Sequence, residues 1–177
     1  MKLFNSIRHY ITSAFAPATL YSVHRLSINT LEGEKMQLSR FKGKKMLIVN
    51  VASSCGLTQQ YEKLQQLYLV NVNQLVIIGV PCNDFAAQEP GTPKEIRDFC
   101  NTTFNITFPL SEKVNILSEP IHPLYRFLTN KAENNFADSR VEWNFQKYLL
   151  NENGVLTHVF SPNVQPDSPE IINAISE

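Results

Sequence analysis

The sequence predicts an α/β sandwich in which helices flank a central mixed β-sheet, and three features predict it. Two nearly continuous apolar, β-branched runs, Met46-Leu47-Ile48-Val49-Asn50-Val51 and Leu75-Val76-Ile77-Ile78-Gly79-Val80, have the composition of strands covered on both faces. Between them, over Thr58 to Val70, Tyr61, Leu64, Leu67 and Tyr68 fall on one stripe at helical spacing. Near the end, Gln146 to Leu150 and Val155 to Phe160 read as strands, and the Asn151-Glu152-Asn153-Gly154 turn joins them as an antiparallel hairpin. The order strand, helix, strand, helix, hairpin, helix belongs to that architecture.

The remaining elements follow in order. Residues 1–21 form an extension before the domain, which is read as 22–177. Phe4, Ile7, Ile11 and Phe15 recur there at helical spacing, and no acidic residue appears before Glu32. Ala14-Phe15-Ala16 has the small-x-small form of a cleavage site, but His9, Tyr10, Thr12, Ser13 and Pro17 interrupt the apolar stretch. The extension is therefore read as a loosely docked helix, which places the protein in the cytoplasm. A targeting role would make it exported or organellar instead. Thr92-Pro93-Lys94-Glu95 starts a helix with an N-cap, a Pro at the first helical position and a Glu placed for a capping box. His122 to Asn130 reads as a further helix with Leu124, Phe127 and Leu128 turned inward, and Ser168-Pro169-Glu170 caps a last short one.

Composition removes several function classes. Length, at 177 residues, fits a single domain. Lys+Arg and Asp+Glu both number 16, so no basic footprint favours nucleic acid. No apolar run approaches the roughly 18 to 20 residues that span a bilayer. Cys55, Cys82 and Cys100 are widely spaced and odd in number, unlike a disulfide framework, and neither they nor His9, His24, His122 and His158 form spaced metal-ligand pairs. Neither a Gly-x-Gly-x-x-Gly nor a phosphate loop is present. No metal or cofactor is expected. Thiol chemistry, or plain burial of the thiols, remains.

Asn50-Val51-Ala52-Ser53-Ser54-Cys55-Gly56-Leu57-Thr58 takes a buried strand through small residues into a helix. Cys55 is thereby placed near a helix N-terminus, where unpaired N–H groups favour the ionised sulfur, the reactive species. Gly56 leaves the sulfur's side open. A cysteine filling a gap in the core fits this segment equally well. The second segment, Val80-Pro81-Cys82-Asn83-Asp84-Phe85-Ala86-Ala87-Gln88-Glu89-Pro90-Gly91, follows the other buried strand, so it emerges at the same sheet edge, where chemistry gathers in open α/β sheets. Gln88 offers a neutral amide donor. The third, Glu142-Trp143-Asn144-Phe145-Gln146-Lys147, brings the chain's one Trp and a further amide beside it. Taken singly, Gln88 is a solvated loop residue, Trp143 a core aromatic and Asn144 a turn former.

Together, Asn-Val-Ala-Ser-x-Cys-Gly-x-Thr, Pro-Cys-Asn-x-Phe-x-x-Gln-Glu-Pro-Gly and Trp-Asn-Phe-x-Lys resemble the three signature blocks of glutathione peroxidases, in that family's order. The resemblance runs from about Leu20 to the C-terminus. It implies a thioredoxin-like fold and a hydroperoxide substrate, with Cys55 in the peroxidatic place and Gln88, Trp143 and Asn144 as the polar residues around it. Cys100, on the helix begun by Thr92, resembles the resolving cysteine of the thioredoxin-dependent branch; its plain alternative is a buried helix residue. The implied cycle runs through a Cys55 sulfenic acid and a Cys55–Cys100 disulfide, with thioredoxin, or second to it glutathione, as reductant. The reduced form is expected to hold the two sulfurs apart, so that residues 92–103 unwind on oxidation. Cys82 is read as packing inward.

Two positions depart from the family pattern: Asp84 stands where many members have Gln, and Ala86 where many have Gly. Asp84 is expected to face away from the site. A thiol–disulfide oxidoreductase would carry Cys-x-x-Cys, and a peroxiredoxin would surround its cysteine with Thr or Ser and Arg. A redox sensor passing oxidation to a partner's thiols is the rival from another class. The protein is read as a monomer.

Overall fold

The computed structural model describes residues 18–177, so the expectations for the first 17 positions lie outside the described residues. In chain order the elements are β1 (Ser27–Asn29), β2 (Lys35–Gln37), β3 (Lys45–Val51), α1 (Gln60–Asn71), β4 (Leu75–Pro81), α2 (Pro93–Phe104), α3 (Pro123–Thr129), α4 (Lys131–Asn134), β5 (Lys147–Leu150), β6 (Leu156–Phe160) and α5 (Pro169–Ser176), with short 3-10 turns at Ala18–Tyr21, Val23–Arg25 and Leu38–Phe41.

Every residue of β3 and β4 is buried, as their unbroken apolar runs require. They pair in parallel, with Met46 opposite Val76 and Ile48 opposite Ile78. β5 pairs antiparallel with β3, and β6 with β5, giving the order β4-β3-β5-β6. The sheet is therefore mixed and central. Side-chain alternation divides the core cleanly. Met46, Ile48, Val76, Ile78, Tyr148 and Leu150 face α3 on one side, where Leu124, Phe127 and Leu128 are fully buried. Leu47, Val49, Val51, Leu75, Ile77 and Leu149 face Tyr61 and Leu64 of α1, Ile96 of α2 and Ile171 of α5. The free edge of β4 is covered by the 109–111 segment, and a Cβ on Gly79 would come within 2.6 Å of Leu110 there.

The capping box on α2 forms as its sequence predicts: Thr92 Oγ1 accepts from Glu95 N–H at 3.3 Å, and Glu95 accepts from Thr92 N–H at 2.7 Å. Ser168 caps α5 with its hydroxyl alone, accepting from Ile171 N–H at 3.4 Å, and the hairpin turn closes with Gly154 N–H donating to the Asn151 carbonyl at 2.8 Å. One boundary differs with consequence. The first long helix starts at Gln60 rather than Thr58, because the Thr58 hydroxyl donates to the Ala52 carbonyl at 2.9 Å and accepts from Cys55 N–H at 3.1 Å. The intervening residues form successive turns. The small β1–β2 hairpin has no counterpart in the sequence pattern, since three-residue strands carry no measurable period.

Candidate active site

The C-terminal ends of the two parallel strands release the first two motif segments side by side, and hydrogen bonds then tie all three segments together pairwise. Ser54 N–H donates to the Gln88 carbonyl at 3.0 Å, joining the Cys55 loop to the second segment. Asn50, at the end of β3, grips the third: its Nδ2 donates to the Trp143 carbonyl at 2.9 Å, and its carbonyl accepts from Phe145 N–H at 2.6 Å. The second and third segments meet through their side chains. Asn144 Nδ2 donates to Gln88 Oε1 at 2.9 Å, and the Phe85 and Trp143 rings pack edge to face at 5.8 Å. With the Gln88 oxygen so occupied, its Nε2 hydrogens and the second hydrogen of Asn144 Nδ2 are left to donate elsewhere. Asn144 is fully buried, while Trp143 keeps 37% of its surface exposed.

Cys55 is half-buried and packs against the cluster on the α1 side of the sheet. Its placement corrects the expectation of a helix N-terminus. The helix begins five residues later at Gln60, and a dipole acts only over its first turn, so the donor that reaches the sulfur comes from a turn. That donor is Leu57 N–H, 3.4 Å from Cys55 Sγ. The Thr58 hydroxyl fixes the loop from its other side.

The other thiols are different in kind. Cys82 lies in the opposite cluster with no exposed surface, and burial pushes its thiol up to about 12. Cys100 is equally buried in α2, within the cluster that Cys55 packs against. Burial pushes it up to about 11, while the neighbouring Tyr61 hydroxyl pulls the other way. All three cysteines are free, and α2 is an unbroken helix in this state.

Residues 23–129 match the family model described as glutathione peroxidase. The chain belongs to the glutathione peroxidase family. The glutathione peroxidase homolog BsaA of Bacillus subtilis (strain 168) is 39% identical over 150 residues, covering 84% of this chain and 94% of the relative. The thioredoxin/glutathione peroxidase BtuE of Escherichia coli (strain K12) is 36% identical over 168 residues, covering 84% and 92% respectively. Among solved structures, the crystal structure of Trgpx in apo form superposes with a TM-score of 0.68 at 30% identity, over 88% of this chain and 96% of that one. A thioredoxin family thiol:disulfide interchange protein from Chlorobium tepidum TLS shares the fold, with a TM-score of 0.62 at 15% identity, over 86% of this chain and 93% of that one. The protein is a thiol peroxidase with a thioredoxin-like fold.

The two departures from the glutathione peroxidase pattern have local explanations. Asp84 turns its carboxylate to the 116–118 segment, accepting from the N–H groups of Ile116 and Leu117 at 2.7 Å each and from the Ser118 hydroxyl at 2.8 Å. Burial alone would raise its carboxyl; the bonds from Leu117, Ile116 and Ser118 outweigh this and hold it below the usual range. Ala86 and Ala87 sit at φ 53° and 52° in the turn closed by Gln88 N–H on the Phe85 carbonyl. Left-handed backbone costs a residue with a Cβ about 1–2 kcal/mol, partly offset by the greater freedom glycine loses on folding. Ala86→Gly is therefore expected to stabilise the protein by about 0.5–1 kcal/mol. A urea midpoint that stays or falls would contradict this.

Residues outside the expected set also shape this candidate site. Asn50 and Thr58 lie within the first block yet show their role only through tertiary bonds. Glu89 is fully buried beside Ser53, with neither carboxylate oxygen in a hydrogen bond among the described residues. Its carboxyl is raised above the ordinary value by burial, which outweighs the opposing charge of Lys113. A raised carboxyl favours the folded state fully below about pH 4.5 and loses that benefit as pH rises through its folded value. Glu89→Gln should thus leave stability unchanged near pH 4 and raise it by about 1 kcal/mol at pH 7, some 2–4 °C in Tm. Equal shifts at both pH values would contradict the buried-charge account. Among the described residues, no helix is long and apolar enough to cross a membrane.

Proposed function

We propose that Cys55 is the peroxidatic residue and that Gln88, Trp143 and Asn144 stabilise the charge that moves during attack. The single observation that carries this reading is the Asn144–Gln88 amide pair, 2.9 Å apart, on a segment whose main chain is bonded to the residue before Cys55. In the first step the Cys55 thiolate attacks the terminal peroxide oxygen. An S–O bond forms as the O–O bond breaks, and the departing alkoxide or hydroxide takes a proton to leave as alcohol or water. Neutral donors suit this step, because they favour charge on sulfur and on the leaving oxygen without competing for the proton.

In the second step, the Cys100 thiol condenses with the Cys55 sulfenic acid, forming the disulfide and releasing water. A dithiol reductant then returns both thiols by exchange. Support comes from the shared apolar cluster of Cys55 and Cys100 and from the thioredoxin/glutathione name borne by the Escherichia coli relative. The condensation requires α2 to open, since Cys100 is fully buried within an intact helix and its thiol is held protonated. Thioredoxin is the preferred reductant and glutathione the second.

Coupled peroxide consumption, run in parallel with thioredoxin and with glutathione, tests the cycle. Repeated turnover with thioredoxin that Cys100→Ser abolishes is the expected result. Equal thioredoxin-driven rates in the two proteins, or a Cys55–Cys82 bond on peptide mapping after one equivalent of peroxide, would overturn the recycling scheme.

A further inference from the structure

The third motif segment ends in Lys147, which the chemistry above does not use. Its side chain has no exposed surface, and among the described residues no carboxylate pairs with it. Its ammonium instead donates to two main-chain carbonyls, those of Phe145 at 2.8 Å and Pro162 at 3.2 Å. A buried cation held only by carbonyls is an unfavourable way to build a core, and burial pushes Lys147 down to about 7. Local rules broken in this way are the places where a fold gives up stability for its site.

Each carbonyl is tied to a segment that borders the candidate site. Phe145 sits at φ 68°, a left-handed conformation that a phenylalanine adopts only under constraint, and it directly follows Asn144, whose amide donates to Gln88. The Pro162 carbonyl also accepts from Gln60 Nε2 at 2.8 Å, and Gln60 is the first residue of the helix that follows the Cys55 loop. Lys147 thus bridges the turn carrying Trp143 and Asn144 to the helix carrying the peroxidatic loop, from behind.

We infer that Lys147 is a positioning residue for the peroxide-reducing step: by holding the Phe145 and Pro162 carbonyls together, it keeps the Asn144 amide aimed at the Cys55 site. The inference rests on the reading of Cys55 as peroxidatic. It separates stability from activity, because a side chain retained only for packing would be better replaced by an apolar one of similar length.

Lys147→Met and Lys147→Gln test it. The readouts are Tm, the emission of the single tryptophan, Trp143, and the rate at which reduced protein consumes one equivalent of hydrogen peroxide. Lys147→Met is expected to melt at or above the wild-type temperature, to shift Trp143 emission to the red, and to react at least tenfold more slowly. Lys147→Gln, which keeps an N–H donor without the charge, should recover part of the lost rate. A Lys147→Met protein reacting within twofold of wild type would overturn the inference. So would rates that fall in both variants only in proportion to an unfolded fraction. Wild-type protein that shows no rapid reaction at Cys55 would instead sink the peroxidatic reading, and that result is in hand before any lysine variant is made.

Discussion

Replacing Cys55 with Ser is expected to lower peroxide turnover by on the order of 10³-fold or more, to the background of the reagents. The physical ground is the difference between the two nucleophiles. Sulfur is the far stronger nucleophile toward a peroxide oxygen, whereas a serine hydroxyl at the same place is unreactive. The change is nearly isosteric, and Cys55 is only half-buried, so the fold should survive with the same Tm within a degree or two. Activity and stability therefore separate. Steady-state consumption with thioredoxin reads the first, and a melting curve the second. Consumption near the wild-type rate by a folded Cys55→Ser protein would contradict the assignment outright.

The second large effect belongs to Asn144. Its Nδ2 has one hydrogen committed to Gln88 and one left over, so the pair acts as a jointly oriented set of donors. Removing a preorganised donor of this kind costs about 10²–10³ in rate, or roughly 2.7–4 kcal/mol of barrier. Asn144→Ala should show that loss in the rate of the first oxidation while disulfide formation afterwards runs at its ordinary pace. It should lower stability by only about 1 kcal/mol, the net value of one hydrogen bond. A rate of first oxidation within threefold of wild type would show that the amide serves the fold rather than the reaction.

How much of this was legible in the sequence depends on the kind of signal each part carries. The sheet was legible because β3 and β4 are covered on both faces, which forces unbroken apolar runs, and the helix starts because Thr92 and Ser168 announce themselves with Pro and Glu. The three motif blocks were legible as letters, and the fold brings them to one place. The bonds that join them were not. Asn50 reads as one polar residue in an apolar strand, and nothing local says that it holds Trp143 and Phe145. Thr58 reads as the start of a helix, yet its hydroxyl stops the helix from starting there. Phe145 in left-handed backbone contradicts its own propensity, so only the tertiary structure reveals it. Lys147 opens a strand buried along its whole length and carries its charge into the core, a conflict that periodicity alone would score as an error. The parts hidden from the sequence are those where local preference loses to the site.

Direct trapping of the oxidised sulfur tests the central claim most closely. In a Cys100→Ser background, one equivalent of hydrogen peroxide is added together with a carbon nucleophile selective for sulfenic acids, and the adduct is mapped by peptide mass. The account predicts a stoichiometric adduct on Cys55, with Cys82 unlabelled. Peroxide consumed with the label on Cys82, or with none on Cys55, would contradict it.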